Sequence, residues 1–115
     1  MTVSTHVLDA SLGRPARDVP VSLFQQHVSG DWRELLRGTT DADGRLKAVS
    51  STGEPLQLNH GIHRIDFETA TYFASSGQTG FYPQVSIIFE VLDPSAHYHV
   101  PLLLSPFAYS TYRGS

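Results

Sequence analysis

A chain of 115 residues, 40% hydrophobic and 17% charged, is sized for one domain spanning 1–115 with a single core. A net charge of −3 offers no basic surface to nucleic acid or an anionic membrane, and no run approaches the roughly 18 apolar residues of a membrane span. The lack of cysteine excludes disulfides, thiolate nucleophiles and zinc–cysteine sites, and fits a reducing compartment.

Residues 1–6 carry neither the basic nor the apolar region of a signal peptide, and the chain does not end in Ser-Lys-Leu, so a cytoplasmic setting is expected. Glycine and proline then divide the sequence into short β-type runs. Residues 2–9 alternate between two faces, 13–16 read as a loop, and 20–28 read as a second strand. The run 32–38 has Trp32, Leu35 and Leu36 as its apolar content; its shortness and flanking turns favour strand over helix. Asp41-Ala42-Asp43-Gly44 is a tight turn. Residues 45–58 are polar and hold at most one short strand, whereas 61–68 alternate well, with Ile65 and Phe67 on one side. Thr69–Ser76 is the one predicted helix, ended by Gly77. Two strongly β-like runs follow at 85–92 and 98–104, joined through Asp93-Pro94-Ser95 as a hairpin. After a turn at Ser105-Pro106, a short last strand covers 109–113. Seven or eight short strands with one helix predict an all-β sandwich.

Alternate side chains of a strand share a face. In the run 97–104, Tyr98, Val100, Leu102 and Leu104 make the better core set, which puts His97, His99, Pro101 and Leu103 on the other side. In the first strand Val3, Thr5 and Val7 oppose Ser4, His6 and Leu8. His6 and His99 therefore lie on outer faces among apolar neighbours, a pattern expected of a cleft between subunits. The ending Tyr112-Arg113-Gly114-Ser115 combines an aromatic hydroxyl, a guanidinium, a glycine and a carboxylate, and is expected to be held in place where chain ends ordinarily fray.

His-Val-Leu-Asp at 6–9, Gly-Arg-Pro-Ala at 13–16, Asp-Gly-Arg at 43–45, Phe-Tyr-Pro at 81–83 and the whole run from His97 to Ser115 resemble the 5-hydroxyisourate hydrolases. These are the transthyretin-related enzymes of the urate pathway. The resemblance covers essentially the whole chain, and the closing Tyr-Arg-Gly-Ser is its most specific part; hormone-carrying transthyretins share the overall pattern but lack these histidines and this ending. It implies a transthyretin-like sandwich of two four-stranded sheets with one short helix, assembled as a homotetramer whose sites open at the dimer–dimer interface. It places catalytic roles on His6, Arg45 and His99, and substrate contacts on these three with Tyr112, Arg113, Gly114 and Ser115. It implies no metal and no cofactor. Ala108, where many relatives have glycine, has no bearing on the chemistry.

Other candidates are weaker. His97 and His99 have the spacing of a strand metal pair, but no cysteine or acidic ligand accompanies them, and His97 reads as support for the pocket rim. Asp41-Ala42-Asp43-Gly44 begins like a calcium loop without its later ligands or closing glutamate. Ser110 and Ser115 lack a nucleophile elbow. His27, His60 and His63 read as structural or solvent-exposed. The resemblance implies attack of activated water on a ring amide of a planar, oxygen-rich purine derivative, and histidine titrates where a base for that water must work. Arg45 would hold the purine derivative's oxygens, and the sequence leaves open which histidine is base and which is acid. The rival classes are a small-molecule carrier with the same channel and a purely structural adhesion-type sandwich.

Overall fold

The computed structural model describes residues 3–47, 53–54 and 56–115. Among these residues nine strands, β1 (Val3–Asp9), β2 (Arg14–Pro15), β3 (Pro20–Gln26), β4 (Trp32–Thr39), β5 (Arg45–Lys47), β6 (Gly61–Phe67), β7 (Val85–Val91), β8 (Tyr98–Ser105) and β9 (Ala108–Thr111), form two sheets, accompanied by one helix, α1 (Thr69–Ser75). One runs β2-β1-β8-β9, with β5 also paired to β1; the other runs β4-β3-β6-β7. Each sheet has four strands of three or more residues, and the two-residue β2 lengthens the edge of the first. No helix among the described residues is long and apolar enough to cross a membrane.

The alternation in the sequence becomes burial. Val3, Thr5, Val7 and Asp9 of β1, and Tyr98, Val100, Leu102 and Leu104 of β8, face inward. They meet Val21, Leu23, Ile65, Phe67, Val85, Ile87 and Val91 from the other sheet. Thr5 keeps its hydroxyl satisfied there by donating to the Val100 carbonyl at 2.6 Å. β1 and β8 lie side by side and parallel, with Ser4 opposite His99 and His6 opposite Pro101. This pairing of the first strand with the penultimate one sets the site.

Three expectations are corrected. Asp93-Pro94-Ser95 is no hairpin loop: β7 and β8 belong to different sheets, so the segment crosses from one layer to the other. The two runs alternate as hairpin strands do, but alternation reports burial, not pairing partner. The loop at 13–16 contains β2, whose Arg14 and Pro15 pair with Asp9 and Leu8. The last strand is Ala108–Thr111 and stops before Tyr112. Of the ambiguous run 45–58, the structure describes β5 and a few positions near its end, with Leu58 in the core; residues 48–52 and 55 lie outside the described set.

Two buried polar groups shape the response to acid. The Asp9 carboxylate accepts from the Ser11 amide and hydroxyl, the Leu12 amide, the Gln78 side chain and the Tyr72 hydroxyl. Burial pushes its pKa up, but these donors outweigh burial and bring it down to about 2. The bonds tie β1 to α1. His63, fully buried, stacks on Phe89 at 5.8 Å and donates from Nδ1 to the Gly61 carbonyl, while its Nε2 has no partner among the described residues. Burial, only partly offset by the Gly61 carbonyl, lowers its pKa and keeps the ring neutral.

Both folded pKa values lie below their unfolded ones, so the unfolded chain takes up each proton first. Stability is then expected to fall as pH drops below 6.5 through His63, and again between pH 3.8 and about 2 through Asp9. Asp9→Asn should cost about 2 kcal/mol at neutral pH and shrink the second step to what Asp41 and Asp93, whose carboxyls also titrate low, contribute, as denaturant unfolding at fixed protein concentration would read. An unchanged acid limb in that variant would contradict the assignment.

Candidate active site

Residues opposite one another in a ladder share a face. Arg45 of β5 lies opposite His6 of β1, and His99 of β8 lies opposite Ser4. Arg45, His6, Ser4 and His99 therefore occupy the outer face of three neighbouring strands. At about 4.8 Å per strand, Arg45 and His99 stand roughly 10 Å apart across β1 and are staggered by two residues along it.

The turn before β5 delivers Arg45. Asp41 Oδ1 accepts from the amides of Asp43 and Arg45 at 2.9 and 3.0 Å, and the Arg45 amide bond is the main reason the Asp41 carboxyl titrates below its usual range. Gly44 takes φ +75°, and a Cβ there would lie 2.3 Å from the Val7 carbonyl oxygen, so only glycine lets the turn close onto β1. The Gly44 carbonyl accepts from the Val7 amide at 2.7 Å. The same turn orients His6, whose Nε2 meets the Asp43 carbonyl at 2.8 Å. A carbonyl only accepts, so Nε2 carries hydrogen and a neutral His6 presents Nδ1 as its lone pair.

His99 is held from two sides. Its Nδ1 lies 2.8 Å from Ser4 Oγ, and the same hydroxyl is 3.1 Å from His97 Nε2. The His97 and His99 rings stack at 6.5 Å with 14° between their planes. On the other side Gly114 bridges to β8, its amide donating to the His99 carbonyl at 2.8 Å. A Cβ on Gly114 would come within 2.4 Å of His99 Cδ2. Partial burial, then the charge of Arg45 and the neighbouring His6 and His97, push the His99 pKa below that of a free imidazole. His99 is thus neutral at pH 7 and competent to accept a proton.

Gly114→Ala is accordingly expected to displace the imidazole and lower kcat about 10²-fold while leaving thermal stability nearly unchanged. Activity equal to the parent protein would show that the close approach is idle.

The predicted residues separate into two groups. His6, Arg45, His99 and Gly114 come together on the outer face. The Arg113 guanidinium instead lies 4.7 Å from the Tyr98 ring, a core-facing residue, and so anchors the terminal segment. Tyr112 is 59% exposed, and Ser115 is exposed too. A cleft of about 250 Å³ runs between this segment and Ile87, Phe89 and Glu90 of β7; His99 lines it, but His6 and Arg45 do not. Leu8 and Leu103 are half-buried and Pro101 is buried within the chain, so the outer face is less apolar than alternation alone suggests. Among the described residues no group of three His, Asp or Glu side chains is placed to hold a metal. Sequence reasoning put Ser4 on the right face but gave it no role; its link to His99 needs the parallel β1–β8 register, which no local pattern reports.

The arrangement is a transthyretin-like sandwich bearing two imidazoles and a guanidinium on one sheet face, groups able to move protons and to bind oxygen-rich solutes. The sequence model of the HIUase/Transthyretin family matches residues 3–114, and the chain belongs to that family. It is 43% identical over 115 residues to 5-hydroxyisourate hydrolase of Salmonella typhimurium, covering 98% of this chain and 80% of that protein. It is 38% identical over 114 residues to the mouse enzyme of the same name, covering 98% and 94%. Among solved structures, Klebsiella pneumoniae 5-hydroxyisourate hydrolase superposes with a TM-score of 0.84 at 36% identity, covering all of both chains. Sea bream transthyretin in complex with thyroxine gives 0.87 at 30% identity, covering 99% and 95%. The backbone alone therefore does not separate enzyme from carrier; the side chains of the site must.

Proposed function

We propose that the protein hydrolyses 5-hydroxyisourate to 2-oxo-4-hydroxy-4-carboxy-5-ureidoimidazoline in urate degradation, with residues 1–115 acting as one hydrolase domain. The observation that carries this reading is the meeting of His6, Arg45 and His99 on three adjacent strands. Two imidazoles and a guanidinium suit a flat, oxygen-rich heterocycle; an apolar ligand would leave them desolvated and unpaired.

Water is a weak nucleophile at neutral pH. His6 and His99 share its activation and the later protonation of the departing ring nitrogen, each offering a ring nitrogen that the protein backbone or Ser4 leaves for substrate. Proton transfers of this kind contribute roughly 10²–10⁴-fold. Arg45, with its planar fork of donors, binds the substrate's carbonyl oxygens and stabilises the negative charge that grows as water adds. Tyr112 orients the substrate through its hydroxyl, Gly114 admits the backbone close to His99, and Arg113 and Ser115 form the wall behind them. Neither a metal nor an organic cofactor takes part.

The outer face is open in a single chain, which supports a homotetramer in which a second dimer covers it and completes a channel. A cytoplasmic setting belongs to the same proposal, and fractionation of expressing cells tests it. The function itself is tested by adding catalytic amounts of protein to freshly generated 5-hydroxyisourate and following its ultraviolet decay. Accelerated decay to an optically active product is expected. Binding without turnover would replace this reading with that of a small-molecule carrier.

A further inference from the structure

We infer that Ser4 and His97 form a proton relay behind His99, with Ser4 as the positioning residue that makes His99 base and acid in turn. The inference rests on the hydrolytic reading above. The Ser4 hydroxyl lies between two imidazoles, 2.8 Å from His99 Nδ1 and 3.1 Å from His97 Nε2. A hydroxyl has one hydrogen to give, so it donates to only one ring at a time and accepts from the other. The two orders of donation define two states. In the first, His99 Nδ1–H donates to Ser4 and Ser4 donates to His97 Nε2. His99 Nε2 is then bare and acts as base. In the second, His97 Nε2–H donates to Ser4 and Ser4 donates to His99 Nδ1. His99 Nε2 then carries hydrogen and acts as acid.

The chemical step connects the states. As the water oxygen bonds to the substrate carbonyl carbon, His6 Nδ1 holds one water hydrogen in a hydrogen bond and the other passes as a proton to His99 Nε2. The Nδ1 proton of His99 moves to Ser4 Oγ, and the hydroxyl proton of Ser4 moves to His97 Nε2. When the carbon–nitrogen bond breaks, the transfers reverse and His99 Nε2 gives its proton to the departing nitrogen. Every proton is accounted for, and no other reactant is needed. His99 stays electrically neutral throughout, while the positive charge rests on His97.

That division of charge suits the surroundings. His99 is half-buried and feels the charge of Arg45 across β1, so an imidazolium there is disfavoured. His97 is exposed, and water solvates its cation. The stacked rings and the parallel Ser4–His99 register hold the three groups in line.

The test compares S4A, S4T and H97Q with the parent protein in 5-hydroxyisourate hydrolysis across pH. S4A is expected to lower kcat about 10²-fold with KM within about threefold, because the relay touches no substrate. Its acidic limb should move to lower pH, since it then follows His99 alone. H97Q should behave like S4A, because an amide cannot store the proton, whereas S4T keeps the hydroxyl and should stay within about threefold of the parent. A parent-like kcat and limb in S4A would overturn the relay, as would equal losses in S4A and S4T. Nitrogen-15 spectra of the histidine side chains give a readout that does not need turnover. The Ser4 main chain also hydrogen-bonds the His99 ring and survives S4A, so the reading is taken at His97: in the parent protein its Nε2 should show the nitrogen shift of a hydrogen bond to Ser4, and that shift should move in S4A but not in S4T; an unmoved shift in S4A would also overturn the relay. If the parent protein shows no hydrolysis, the proposed function fails, and the nitrogen spectra still decide whether Ser4 couples the two rings.

Discussion

His99→Ala is expected to lower kcat by roughly 10³-fold, toward the upper part of the range for a lost proton-transfer group, while the protein stays folded. The ring is half-buried on an outer sheet face, not in the core, so its loss leaves the inward set Tyr98, Val100, Leu102 and Leu104 in place. The bridge to Gly114 uses main-chain atoms and survives the substitution. Steady-state kinetics with circular dichroism as a folding control would check this. A variant with parent-like turnover would remove His99 from the mechanism, whatever its position.

Arg45→Glu should be at least as damaging. Losing one donor to a developing oxyanion costs about 10²–10³ in kcat, and the new carboxylate would also repel the charge that forms. A second consequence follows from its neighbour. The charge of Arg45 helps hold the His99 pKa down; a glutamate at that position favours the imidazolium and raises it. The residual activity should therefore show its acidic limb at higher pH than the parent protein, the direction opposite to that expected for S4A. Arg45 is exposed on a three-residue edge strand, so folding should be little affected. An unmoved limb would mean that Arg45 and His99 do not sense each other.

The histidines, the turn at Asp41–Gly44 and the core alternation were legible in the sequence because each is a local pattern. Period-2 alternation puts His6 and His99 on outer faces without any knowledge of which strands pair. The resemblance, not the pattern, singled out Arg45 and the terminal tetrapeptide. What could not be read was long-range. The parallel pairing of β1 with β8 brings residues more than ninety positions apart to hydrogen-bonding distance, and nothing in either segment announces it. For the same reason the 93–95 connection looked like a hairpin. Arg113 shows a further limit: its stacking on Tyr98 depends on how the terminal segment crosses the sheet edge, which a sequence does not display. His63 reads as a histidine at a strand start, and only the packed sandwich reveals a buried ring with a nitrogen that no described residue partners.

The fold is shared with a thyroxine-binding protein at a TM-score of 0.87, so architecture here says little about chemistry. The distinction rests on a few polar side chains on one face, which an apolar ligand would not reward. The most direct measurement is a crystal structure of the assembled protein with an unreactive bicyclic purine analogue of the substrate. The expected result is an analogue lying flat over β1, with its carbonyl oxygens on the Arg45 guanidinium and a ring edge within hydrogen-bond reach of His6 and His99. An analogue seated elsewhere, or in contact with neither imidazole, would contradict it.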